Sequence, residues 1–303
     1  MTYHIICSNI LKMSSEQFVQ QYNDLKVIKV VFQERWHGQL DEKARLDDED
    51  WQITEILPSD WRFDYLSYCV WLATSWLCTK KCVNVMADIA YETNKQNIKG
   101  NRPLKFPDDK EKAKEWVETT FLKGVIDSFP AVYIDYQLTD DRLWGCHSRV
   151  WDESKYHQFC NVYICAYQIE GLLNCIADKD VKLTHRWLLR LAVTLLHEVG
   201  GHVLVSKVTE GSEGTPEFLT AYEDTAIAER DLPEDQKTVR ISEAGDVVER
   251  GVLGGTLFML DYLNDSPHHP GRPSLQREHH AHAKLSSPRI KDEDVAKLLR
   301  RGT

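Results

Sequence analysis

The chain is predicted to be α+β, with an N-terminal helical part followed by a small sheet and a central helix that carries a metal. Three observations predict this. Aromatic residues crowd a helical stretch after Pro58. Three short strand-like runs lie between residues 131 and 169. An apolar helix then ends in Leu195-Leu196-His197-Glu198-Val199-Gly200-Gly201-His202. The 303 residues suffice for one large domain or two small ones. The expected division is 1–100 as the helical region, 101–264 as the metal-binding region and 265–303 as a loop-like tail with a short terminal helix.

Taken in order, Ser14-Ser15-Glu16-Gln17 offers a cap, and Phe18, Val19, Tyr22 and Leu25 supply an apolar face, so a helix is expected over 14–35. A second helix begins at Pro58-Ser59-Asp60 and runs through Trp61, Tyr65, Tyr68, Cys69, Leu72 and Trp76 to Met86. Its rings read as core packing, with a hydrophobic substrate wall as the alternative. Residues 92–110, rich in Asn, Lys, Pro and Asp, form the best linker candidate.

Lys110 to Leu122 should be helical, and Ala131–Leu138, Leu143–Trp151 and Phe159–Ile169 read as strands. Trp187, Leu188, Leu189, Leu191, Val193, Leu195 and Leu196 make the helix from Thr184 or His185 to about Gly200 apolar on most faces, which places it centrally. Thr215-Pro216 opens a further helix. Ser242 caps one over Glu243–Leu253, and Gly254-Gly255 ends it. Residues 265–285 read as loop, with a closing helix from Ser287-Pro288.

Composition narrows the function classes. The net charge is −10, and no Lys/Arg-rich stripe offers a counter-surface to phosphates, so no nucleic-acid partner is expected. The apolar stretch from Leu66 to Cys78 is interrupted by Ser67, Thr74 and Ser75 and is short of the roughly 20 residues a bilayer requires; no membrane partner is expected. The N-terminal residues lack the basic-then-apolar pattern of a secretory signal. Eight cysteines scattered among apolar neighbours then read as reduced thiols, and the expected location is cytoplasmic.

The chemistry concentrates at residues 197–202. Two imidazoles and a carboxylate are costly to bury without a common solution, and together they suit a divalent metal and a water. The usual H-e-x-x-H spacing sets the histidines four apart. Here they are five apart. Positions four apart differ by about 40° around a helix axis, and positions five apart by about 140°. One metal therefore requires a π-type turn, which absorbs a residue, or termination of the helix at Gly200-Gly201 through a backbone conformation that glycine permits.

His197-Glu198-Val199-Gly200-Gly201-His202 resembles the H-E-x-x-x-H signature of the dipeptidyl-peptidase III family, a variant of the zinc metallopeptidases called zincins. Ile241 to Glu249, followed by Gly254-Gly255, also resembles a pattern in uncharacterised fungal proteins that carry an HE…H helix. The resemblance implies a zincin-like fold, zinc as cofactor, His197 and His202 as ligands and Glu198 as general base. It also implies a third ligand, a Glu on a downstream helix.

Glu243, Asp246 and Glu249 stand three apart, so neighbours share a helical face. Glu243 is the expected ligand, with Asp246 or Glu249 steadying a histidine from outside. Glu249 as the ligand is one alternative, and a solvated acidic first turn is another. In zincins the strand nearest the site lies along the substrate, and Asn161–Gln168 is the candidate. For the oxyanion, Tyr222, Tyr262 and the tail histidines come into consideration. His279, His280 and His282 otherwise read as a loop segment without a site, and Cys78-x-x-x-Cys82 as core packing.

The expected function is zinc-dependent hydrolysis of a peptide or amide bond, acting on a peptide or small-molecule substrate. A metal-dependent biosynthetic enzyme working on a small metabolite is the alternative. A non-catalytic, metal-stabilised binding module is a third reading.

Overall fold

The computed structural model describes residues 30–37, 51–99, 103–136, 138, 144–147, 161–210, 244–260, 272–276, 291 and 293–295. The architecture is α+β: a small mixed sheet packed against helices, plus a two-stranded ribbon.

Strands β1 (Phe32–His37) and β2 (Trp51–Ile56) come first and pair antiparallel. This corrects the expectation of helix as far as residue 35; the part before Val30 lies outside the described residues. The run Val30-Val31-Phe32 is β-branched and aromatic, which restricts side-chain freedom in a helix and suits a half-buried sheet. Phe32 and Ile56, partners in register, are both buried.

The aromatic stretch forms two helices, α1 (Trp61–Leu77) and α2 (Lys80–Lys99). Asp60 caps α1, its carboxylate accepting from the Arg62 backbone N–H at 2.9 Å. Phe63, Leu66, Cys69, Val70, Trp71 and Leu72 are buried, so α1 is a core helix; of the rings that suggested it, Trp76 is buried, Tyr65 and Tyr68 are half-buried and Trp61 is exposed. The linker expected from residue 92 is instead helical as far as Lys99. Its asparagines tie α2 to neighbouring backbone. Asn94 Nδ2 donates to Phe106 O at 2.9 Å, and Asn97 Nδ2 to Val208 O at 3.0 Å.

Helix α3 (Lys110–Trp116) passes through a π turn (Val117–Phe121) into α4 (Leu122–Asp127). Strands β3 (Val132–Asp135), β4 (Gly145–His147) and β5 (Val162–Cys165) fall within the three predicted runs. The sheet order is β2-β1-β3-β5-β4; β1, β3 and β5 are parallel, and β2 and β4 are antiparallel to their neighbours. Helix α5 (Ala166–Ala177) follows β5 directly.

Helix α6 (Val181–His197) starts earlier than expected, because Asp180 accepts from the backbone N–H groups of Lys182 and Leu183. It continues through a π turn (Glu198–Val203) into α7 (Leu204–Thr209). The span Val181–Thr209 is long and apolar enough to cross a membrane, and 89% of its most apolar window is buried inside the protein. That is the signature of a central core helix.

Helix α8 (Ala244–Leu253) ends at Gly254, whose φ of 85° lies in the left-handed region. The chain then enters β6 (Thr256–Leu260), which pairs antiparallel with β7 (Arg272–Gln276). The loop expected over 265–285 is thus a strand in part. One core draws on residues from Val30 to Val295. The six cysteines among the described residues, Cys78 and Cys82 included, are free thiols. The helix proposed at Thr215-Pro216 lies outside the described residues.

Candidate metal centre

The six residues Glu198–Val203 form a π turn inside an otherwise α-helical span. The extra residue per turn is what brings His197 and His202 onto one side, and their ring centroids are 5.2 Å apart. Ligand atoms of His197, Glu198 and His202 all lie within 4.8 Å of one another. The sequence posed the alternative of a π turn or a helix end, and the π turn is the answer.

The glycines serve a different purpose from the one expected. Neither Gly200 nor Gly201 has positive φ. They permit close approach instead. A Cβ on Gly200 would meet Leu77 at 2.9 Å and Val248 at 3.0 Å, and one on Gly201 would run into the backbone of Ala244 and Gly245. Helix α8 therefore crosses the π turn almost backbone to backbone. At the same crossing, a Cβ on Gly245 would overlap the His197 ring. The imidazole lies flat in the space that this glycine leaves.

Glu249, one turn further along α8, completes the hold on His197. His197 Nδ1 and Glu249 Oε1 share a hydrogen bond at 2.6 Å, and the Leu257 backbone N–H donates to Oε2 at 2.7 Å. With Glu249 ionised, its oxygen accepts from Nδ1–H and Nε2 is left as the lone-pair nitrogen. Burial pushes the Glu249 carboxyl above its usual range, and the hydrogen bonds from His197 and Leu257 oppose that push. Both oxygens are so engaged, which suits Glu249 to steadying His197; His197, Asp246 and Glu249 also form a second group that could hold a metal ion. Asp246 has a ligand oxygen within 4.8 Å of those of His197 and Glu249. Glu243, Tyr222, Tyr262, His279, His280 and His282 lie outside the described residues.

Glu198 is 3% exposed, whereas the His197 side chain is 18% exposed. Strand β4 lies against the stem of the Glu198 side chain. A Cβ on Gly145 would stand 2.7 Å from Thr194 Cγ2 and 3.4 Å from Glu198 Cγ, so only glycine lets the strand come this close. The Cys165 N–H donates to Trp144 O at 3.1 Å, and the register sets Gly145 opposite Ile164 and His147 opposite Val162. In an antiparallel pair the bonded and non-bonded positions alternate. The backbone groups of Gly145 and His147 therefore point away from β5. The strand beside the site is β4, which corrects the choice of Asn161–Gln168: that segment is an internal strand running into α5. The sequence held one signal for β4, a glycine flanked by Trp144 and Cys146 in a short strand.

Comparison with family models, with curated proteins and with solved structures returns no match. The donor set itself fits a metal: two imidazoles, one of them hydrogen-bonded to a buried carboxyl group, beside an acidic side chain.

Proposed function

We propose that this protein is a zinc-dependent hydrolase with a zincin-like catalytic half, cleaving a peptide or amide bond. The observation that carries the reading is the π turn, which gathers His197, Glu198 and His202 within 4.8 Å of one another. His197 and His202 hold the metal, and Glu243 from the chain just before α8 supplies the third ligand, since catalytic zinc takes three protein ligands and keeps one position open. Bound zinc supplies Lewis acidity, bringing the pKa of a water toward neutrality and polarising a carbonyl.

This chain's own groups do the rest. Glu198 takes the proton of the attacking water and delivers it to the departing amine. Glu249 keeps His197 in the tautomer that presents Nε2. An extended substrate segment runs along β4, meeting the outward backbone groups of Gly145 and His147, and this pairing favours a peptide. The mixed sheet with an antiparallel strand beside the metal-bearing helix supports the same reading.

The test compares the full chain with Glu198→Gln. Both should hold zinc equally. Zinc-loaded wild type should cut members of a mixed peptide library followed by mass spectrometry, with the variant slower by about 100-fold or more. Undiminished cleavage by Glu198→Gln, or a wild-type chain that holds no zinc, would defeat the proposal.

A further inference from the structure

Glu249 has two partners on two different elements. Oε1 shares a hydrogen bond with His197 Nδ1 and Oε2 accepts from the Leu257 backbone N–H, at 2.6 and 2.7 Å. Leu257 belongs to β6, and the N–H that meets the carboxylate is turned away from β7. The β6–β7 ribbon is thereby fastened to the imidazole through one buried carboxylate, 5% exposed. Gly254, with φ 85°, turns the chain from α8 back so that Leu257 reaches the glutamate eight residues earlier.

We propose that the Leu257 amide is a positioning group for the metal centre, and that zinc loading and docking of the β6–β7 ribbon are coupled through Glu249. The inference rests on His197 being a ligand, as in the reading above. A cation on Nε2 draws electron density from the ring and makes Nδ1–H a stronger donor. The carboxylate that this hydrogen bond holds is the one whose other oxygen meets the Leu257 amide, so a firmer hold on Oε1 fixes Oε2 in place for that N–H. Linkage makes the effect reciprocal: whatever zinc adds to the Leu257 contact, that contact adds to zinc affinity.

The experiment uses the full chain and zinc alone. Zinc affinity is measured by competition with a chelator, and hydrogen exchange is followed at the Leu257 amide by NMR. In the wild type, saturating zinc should slow that exchange by about fivefold or more relative to the metal-free protein. Leu257→Pro deletes the donor on the side away from β7, where a sheet tolerates proline, and should weaken zinc binding by about tenfold. Leu257→Ala loses the side chain but keeps the N–H, and should bind zinc like the wild type. In Glu249→Ala at saturating zinc, the exchange of Leu257 should no longer respond to the metal.

Tight zinc binding with unchanged exchange at Leu257 would overturn the coupling and leave the metal centre standing. Equal zinc losses in Leu257→Pro and Leu257→Ala would also overturn it, by showing that the side chain and not the amide matters. A wild-type chain that binds no zinc would remove the centre and the coupling together.

Discussion

His197 is held from three directions. Glu249 hydrogen-bonds to Nδ1, Gly245 leaves room for the ring, and His202 stands 5.2 Å away across the π turn. The glycine is the least forgiving of these, because a single methyl at 245 would occupy the volume of the imidazole. Overpacking of this kind costs roughly 1–3 kcal/mol, and here the group displaced is the expected ligand. Gly245→Ala should therefore weaken zinc binding by about 10–100-fold, the range found when the support of a ligand is lost. Wild-type affinity in that variant, measured by chelator competition, would mean that His197 has another position from which to bind. The sequence marked His197, Glu198 and His202 directly, since three polar groups in one apolar helical turn need a shared explanation. It did not mark Gly245, whose role appears only when α8 is laid across the π turn.

At the scale of elements, the N-terminus of α1 shows how local chemistry joins the sheet to the helices. Asp60 caps the helix and also binds the Arg62 side chain, with Arg62 Nη2 at 2.7 Å from Oδ2. The same guanidinium reaches Glu34 on β1. The Arg62 side-chain hydrogen bond is the main reason why the Asp60 carboxyl sits below its usual range. A depressed folded-state pKa contributes stability that is present above the unfolded value of about 3.9 and is lost as pH falls through the lowered folded value. Asp60→Ala should cost roughly 1–2 kcal/mol at pH 7 and progressively less below about pH 4. Urea unfolding at both pH values checks this, and a cost independent of pH would contradict it. Asp60 was legible as a helix start because Pro58-Ser59-Asp60 precedes the aromatic run. Strands β1 and β2 were not, because the apolar residues before Phe32 fit a helical period as well as an alternating one.

For the whole molecule, zinc should behave as a ligand of the native state alone, since the unfolded chain does not gather His197 and His202. At a free zinc concentration a hundredfold above Kd, the expected stabilisation is about 2.7 kcal/mol. It should appear as a rise in Tm that a chelator reverses, and His202→Ala should remove most of it. The same rise in a variant lacking both His197 and His202 would place the zinc elsewhere on the chain. The site sits where α6, its π turn and α8 cross, with β4 along one side, so the groups that surround its His197–His202 donors come from segments far apart in sequence. One core links these elements, taking in Trp71 of α1, Leu196 of α6 and Val248 of α8.

The sequence by itself determined the mixed α and β character, the central apolar helix, the strand runs after residue 131 and the three polar groups at 197–202. Each of these rests on local pattern: period, capping and the cost of burying charge. It also posed the five-residue spacing as a problem with two solutions. Tertiary structure decided the rest. It chose the π turn, assigned Gly200 and Gly201 to close packing, gave Glu249 to His197 and Leu257, and set β4 beside Glu198 in place of the segment 161–168. Those outcomes depend on which backbone lies within a few ångströms of which, and contacts between distant segments leave no period in the chain to read.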